Sequence, residues 1–320
     1  MEHGSKSACF GDGQTPQPAI QGGWALSDAT PPDLKIKQLN LDIDSFAATF
    51  LTAFDGDFEK VRHLKYDVTN FAHYIRTGGA QLVIGVGGGR DVLGGLALGQ
   101  KSARGVELNK DIITVLKDKY AAYTGNLASD PRVDIVNDEA RSYITRNQDK
   151  YDVIQMSMID TFAASSAGAF TLSENSLYTS EAFDVFLSRL KPHGILSCSR
   201  WYYRSQPAEI YRLMALAQSA VRKIGGDPSK QIILIANFPK GGAEGVGTLM
   251  VSPDPFSAED LRKVEETAKD LHFQVVYSPG HSSDPILSDL TSSKEKMEQT
   301  IQNFSLNIAP PTDDSPFFFQ

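Results

Sequence analysis

The chain has 320 residues, 41% hydrophobic, 9% aromatic and 22% charged, a globular composition well away from the apolar-poor, charge-rich range of disordered chains. Lys and Arg number 31 against 39 Asp and Glu, a net charge of −8, which excludes a broad basic face of the kind that binds nucleic acid by releasing counterions. The two cysteines, Cys9 and Cys198, are too few for a disulfide framework or a four-thiolate metal site, and no apolar run approaches the roughly 18 residues of a membrane span.

Residues 1–33, rich in Gly, Ser, Gln and Pro, read as a flexible tail without an apolar stretch of signal-peptide length, so a soluble protein of a reducing cytoplasm is expected. Residues 34–79 form a small module: Leu39, Leu41 and Ile43 alternate as in a strand, Asp55-Gly56-Asp57 is a turn, and 61–75 has helical spacing. From 80 to 253 strands and helices alternate. Strands are expected at 82–86, 105–107, 133–136, 151–158 and 195–199, and helices at 91–98, 111–123, 139–145, 179–190 and 207–224. Two last strands follow at 232–236 and 248–251. This rhythm predicts an α/β fold with a parallel, doubly wound sheet. Residues 254–320 are expected to add a helix at 258–271 and a tail packing on the main domain, with the apolar Phe317-Phe318-Phe319 tucked in.

Gly85-Val86-Gly87-Gly88-Gly89 leaves the first of these strands and enters a helix, and Glu107 ends the next strand 22 residues after Gly85. Glycines permit a tight turn and a close ligand, and a strand-end carboxylate at that distance suits ribose hydroxyls. Counted from Gly85, the third glycine of a dinucleotide fingerprint is replaced by Arg90, and Asn137-Asp138 ends the third strand where an adenine amino group could bind. Together these favour S-adenosylmethionine (SAM) or a relative over a dinucleotide. Asp160, beyond the carboxyl end of a central strand, is the catalytic candidate; a helix cap is its structural alternative. Arg90 and Asp91 read as a ligand clamp or as a first-turn ion pair. The Ala-, Ser- and Gly-rich stretch 161–170 reads as a lid or a packing run, and Arg200-Trp201-Tyr202-Tyr203 as a rim cage for a cation or as core. The six histidines show no metal spacing, so no metal is expected.

Segments 83–93, 105–107, 131–138, 151–160 and 174–199, with Thr312-Asp313-Asp314-Ser315-Pro316-Phe317 near the end, resemble the spermidine-synthase-like branch of the class I SAM-dependent transferases. The resemblance implies a seven-stranded Rossmann-like sheet with a small N-terminal β module over the ligand cleft. It further implies that Gly85, Gly87 and Gly89 line the methionine part of the ligand, that Glu107 holds the ribose and that Asp138 faces the adenine. Tyr66 and Asp67 fall where it puts substrate-facing residues, and Glu174 and Tyr178 match the acid and tyrosine before the fifth-strand helix. Two departures stand out. The acid of the family's Gly-Gly-Gly-Asp-Gly-Gly is Gly88 here, with Asp91 nearby, and its Asp-Ser-Ser-Asp reads Ser157-Met158-Ile159-Asp160. A serine of ordinary pKa cannot take a proton from an attacking ammonium. The expectation is therefore a SAM-dependent transferase acting on a small acceptor, methyl transfer first. Aminopropyl transfer from decarboxylated SAM to an amine, with Asp91, Asp160 and Glu174 rebuilding the amine site, is the alternative. Cyclisation or elimination on SAM and a non-catalytic nucleoside sensor are further ones. A homodimer is compatible with all of these.

Overall fold

The structure is a computed structural model that describes residues 8–10, 17–18, 25–43, 47–159 and 175–318. The N-terminal strands are β1 (Ala8–Phe10), β2 (Gln17–Pro18), β3 (Lys35–Ile36), β4 (Gln38–Ile43) and β5 (Ala47–Thr52). β1, β4 and β5 form an antiparallel sheet in that order, and β2 pairs with β3. Leu39 and Leu41 of β4 and Leu51 of β5 are buried with Val61 and Leu64, as the alternation in the sequence requires. The stretch 61–75 is broken where a single helix was expected. It folds as 3-10 turns at Phe58–Tyr66 and Val68–Asn70, then α1 (Ala72–Ile75). Asp67 is one cause: it accepts the Thr69 N–H at 2.9 Å and so starts a new turn.

The main sheet then builds from β6 (Ala80–Ile84), α2 (Arg90–Ala97), β7 (Ser102–Glu107), α3 (Lys110–Thr114), β8 (Val133–Asn137), α4 (Ala140–Arg146) and β9 (Tyr151–Ser157). It continues with α5 (Ser180–Ser188), β10 (Leu190–Tyr203), α6 (Ala208–Lys223), α7 (Pro228–Gln231), β11 (Ile232–Asn237) and β12 (Glu244–Val251). Last come α8 (Ala258–Asp270), β13 (Gln274–Ser278), β14 (His281–Ser282), α9 (Pro285–Thr291) and α10 (Lys294–Asn303). The strand order is β14-β13-β11-β12-β10-β9-β6-β7-β8, with β8, β7, β6, β9 and β10 parallel. Helices cover both faces: α4, α5, α6 and α9 one core, α1, α2, α3 and α8 the other.

The fold is thus the doubly wound one expected, with two strands beyond the expected seven. Segment 254–320, read as a helix and tail, also supplies β13 and β14. Val276 and Tyr277 are buried against β11, whose edge would otherwise be open. The chain leaves β6 on one side for β7 and β8 and on the other for β9 and β10. The crevice at the carboxyl ends of β6 and β9 is therefore the topological switch point, where open α/β sheets take their ligands.

The C-terminal segment is bound tightly to this body. Phe318 is buried and stacks on Tyr178 with ring centroids 4.6 Å apart, while Arg212 donates to the carbonyls of Ala309 and Phe318, each at 2.9 Å. Asp313 pairs with Arg141 and accepts from Thr179 Oγ1 at 2.8 Å. Among the described residues no helix is long and apolar enough to cross a membrane.

Candidate active site

The turn after β6 uses its glycines for two different reasons. Gly85, Gly87 and Gly89 have φ of 76°, 51° and 84°, a region costly for any residue with a Cβ. Gly88 has no such φ, but a Cβ there would lie 2.0 Å from the Phe50 carbonyl oxygen of β5. Its N–H donates to Thr49 Oγ1 at 2.9 Å, so the N-terminal hairpin sits directly on the turn. Glu107, buried at the end of β7, braces the turn from the other side. Its Oε2 accepts the Gly87 N–H at 2.9 Å and its Oε1 the Asn109 N–H at 2.8 Å. A carboxylate has about four acceptor positions, so each oxygen keeps room for one ligand hydroxyl.

The neighbouring strand end shapes an adjoining surface. Asn137 Nδ2 donates to the carbonyls of Glu107 and Leu108, at 2.9 and 3.0 Å, and the Asp138 N–H to that of Glu107 at 3.1 Å. Asp138 itself pairs with Arg146 and accepts the Glu139 N–H at 2.9 Å. Leu108 is held out between them, 72% exposed. An apolar side chain presented to solvent beside the Glu107 carboxylate offers a surface on which a flat ring can lie. The sequence reading missed it, although an apolar residue directly after the strand-end acid was the available signal.

At the switch point the first turn of α2 meets the end of β9. Asp91 is buried in that turn, with the Ser157 hydroxyl at the end of β9 among the groups that act on its carboxyl. Burial pushes the Asp91 carboxyl up to about 7; Asp67 nearby adds to the rise, and the Ser157 hydroxyl and the Arg90 guanidinium oppose it. Arg90 is itself bound by Asp67, which is fully buried and also accepts from Thr69 Oγ1 at 2.8 Å. In place of the first-turn ion pair read between Arg90 and Asp91, Arg90 pairs across to Asp67. Behind Ser157, Gln155 Nε2 lies 3.1 Å from its Oγ, and Gln155 Oε1 is 2.8 Å from His73 Nε2.

Other sequence candidates fall elsewhere. Tyr66 is half-buried, its ring against Leu26, Leu34 and Ile36. Tyr178 is fully buried beneath Phe318 and beside Arg200, so the structure puts it in the core and away from a substrate surface. Arg200, buried, pairs with Glu209 at 2.9 Å, and Tyr202 is buried against Phe238; both are core, away from the rim. Asp160, Glu174 and the stretch 161–170 lie outside the described residues. Among the described residues no group of three or more His, Cys, Asp or Glu could hold a metal ion.

Two histidines under this site carry a pH dependence. Burial, with Arg90 adding to it, pushes His63 down to about 3, and burial pushes His73 down to about 4 against the opposing hydrogen bond that its Nε2 donates to Gln155 Oε1. Both stay neutral in the fold, while an unfolded imidazole takes up a proton near 6.5. Their stabilisation is thus complete above that pH and is lost as pH falls toward 4, at about 1.4 kcal/mol per pH unit for each proton. Urea denaturation between pH 7.5 and 4.5 should show the decline, and His73→Gln should flatten it; an identical slope in the variant would contradict the assignment.

Residues 65–243, more than half of the chain, match the spermine/spermidine synthase domain, and the chain belongs to that family. Polyamine aminopropyltransferase 2 of Pseudomonas aeruginosa is 26% identical over 119 residues, 36% of this chain and 32% of that protein, so the match spans about a third of the relative. A solved structure of a probable spermidine synthase from Corynebacterium glutamicum superposes with a TM-score of 0.50 at 15% identity, over 74% of this chain and 83% of its own, a likeness of fold. The spermidine synthase of Thermotoga maritima aligns over 92% of this chain and 98% of its own, at 15% identity and a TM-score of 0.43. Methyl transfer, placed first on the sequence, is overturned here: the family and the curated relative are both named for polyamine synthesis. The preference for methyl transfer rested on the acids missing at Gly88 and Ser157.

Proposed function

We propose that the protein transfers an aminopropyl group from decarboxylated SAM to a small amine. The observation that carries this reading is the acid pair Asp67 and Asp91 at the switch point beside the glycine turn, with Arg90 already bound by Asp67. A carboxyl there suits the ammonium of a decarboxylated ligand and opposes the carboxylate of SAM. Family membership supports the same reaction. In this reading Gly85, Gly87 and Gly89 admit the sulfonium end, Glu107 takes the ribose hydroxyls, Leu108 the adenine face and Asp138 its edge. Asp160 pairs with the acceptor amine. The amine nitrogen attacks the propyl carbon, the bond from that carbon to sulfur breaks toward sulfur, and methylthioadenosine leaves. A sulfonium is a good leaving group, so alignment does most of the work.

The test is calorimetry with SAM and decarboxylated SAM, followed by product analysis with a linear diamine. Tighter binding of the decarboxylated form and formation of aminopropylated diamine plus methylthioadenosine are expected. Turnover with SAM alone would overturn the reading. Asp160→Asn should lower kcat/KM for the diamine by about tenfold or more, the scale of one charged hydrogen bond, at unchanged nucleoside affinity; unchanged kcat/KM would remove Asp160 from the site.

A further inference from the structure

A run of glycines that opens a helix binds anions when its N–H groups are free, because adjacent donors and the helix dipole converge on one place. In this chain four of the five N–H groups of the turn 85–89 are used inside the protein. The Gly85 N–H donates to the Val106 carbonyl, that of Gly87 to Glu107 Oε2, that of Gly88 to Thr49 Oγ1 and that of Gly89 to the Val86 carbonyl, each at 2.9 Å. Three of these acceptors belong to the turn itself or to β7 beside it. The fourth comes from β5, 39 residues earlier in the chain.

Thr49 is half-buried, and a Cβ at Gly87 would lie 2.8 Å from its Oγ1, so this one oxygen covers the link between Gly87 and Gly88. The Phe50 carbonyl oxygen follows it onto Gly88. The strand is held in place by its next residue, Leu51, which is fully buried and faces Leu39 across β4. Under the hairpin, then, the turn is lined by two oxygens where an anion site would offer N–H donors.

A ligand carboxylate would bind here by accepting from those same N–H groups. Thr49 Oγ1 already holds the acceptor position on Gly88, and Glu107 Oε2 the one on Gly87. The remaining attraction for an anion is the N-terminus of α2, and Asp91, an acid buried in its first turn, already meets it. The Arg90 guanidinium beside it is bound by Asp67. A cationic tail meets none of these obstacles.

We propose that Thr49 is a specificity-determining residue: its hydroxyl oxygen takes the place of a ligand carboxylate on the glycine turn, so that the site accepts decarboxylated SAM and rejects SAM. The proposal rests on the aminopropyl-transfer reading and deepens it, since the two ligands differ only in that carboxylate. It also gives the turn a means of selection although Gly88 stands where the resemblance puts an acid.

The experiment is calorimetry of the parent, Thr49→Ala, Thr49→Ser and Thr49→Asp with three ligands: SAM, decarboxylated SAM and methylthioadenosine, which carries neither carboxylate nor ammonium. The parent should bind decarboxylated SAM more tightly than SAM. Thr49→Ala vacates the acceptor position on the Gly88 N–H, so the ratio of the two dissociation constants should fall about tenfold, the weight of one hydrogen bond to a charged group. Thr49→Ser keeps the oxygen and should keep the parental ratio. Thr49→Asp keeps an oxygen for the Gly88 N–H and adds a negative charge, so the ratio should widen; this variant carries the test with the opposite sign if Thr49→Ala does not fold. Methylthioadenosine should bind all four proteins alike, and urea midpoints report folding separately. A parental ratio in folded Thr49→Ala or Thr49→Asp would overturn the role of Thr49 alone, as would Thr49→Ser behaving like Thr49→Ala. Equal loss of affinity for all three ligands would overturn it in favour of a structural role of the hairpin. A parent that binds SAM as tightly as decarboxylated SAM would overturn the aminopropyl-transfer reading and this inference with it.

Discussion

Replacing Glu107 with Ala is expected to weaken binding of the nucleoside substrate by about 1–3 kcal/mol and to destabilise the fold on the same scale. The carboxylate has two tasks in one place. It accepts the Gly87 and Asn109 N–H groups, which lose their acceptor in the variant, and its remaining acceptor positions are the ones offered to vicinal hydroxyls. Gly87 sits at a φ of 51° and depends on that hydrogen bond to hold the turn open to ligand. Glu107→Gln should be milder, because one carbonyl oxygen persists, but its amide must face one of the two backbone donors. Calorimetry with decarboxylated SAM and urea denaturation of both variants check this. A folded Glu107→Ala protein with parental affinity would remove Glu107 from the ribose site.

Phe318→Ala is expected to be the most destabilising change in the C-terminal segment, at about 3–5 kcal/mol, the usual cost of emptying a buried Phe site. Phe318 is 1% exposed, stacked on Tyr178 and 5.8 Å from the Arg200 guanidinium, while Tyr178 and Arg200 are themselves buried. Removing the ring therefore opens a void beside a buried cation, and little water can reach it. The neighbouring chain should respond as well, since the Asn175 N–H donates to the Pro316 carbonyl at 2.9 Å and the Ser180 N–H to that of Pro311 at 2.9 Å. Asp313→Ala, which breaks a partly exposed ion pair with Arg141, should cost less, about 1 kcal/mol. Urea midpoints of the two variants give the comparison. A loss under about 1 kcal/mol for Phe318→Ala would show that the ring does not support the core.

What the amino-acid sequence determined by itself is the part of the site that is local in the chain. The glycine turn, the acid at the end of β7 and the Asn137-Asp138 corner each lie within one strand–turn–helix unit, and backbone sterics and alternation make such units legible. The doubly wound architecture follows from the order of those units. Their handedness rules leave few alternatives. Tertiary structure decided everything that joins units far apart. Asp67 meets Arg90 only because the N-terminal turns pack over α2. Read singly, Arg90 and Asp91 looked like a ligand clamp or a first-turn ion pair, and the partner of Arg90 was out of view. In the same way Tyr178 looked substrate-facing until the C-terminal Phe318 covered it, and β13 and β14 became strands only because β11 had an edge to pair with. The physical reason is common to these cases. Local dihedral and hydrophobic preferences act over a few residues, whereas burial, and with it the proton affinity of Asp91, is set by whichever distant segment closes over a group.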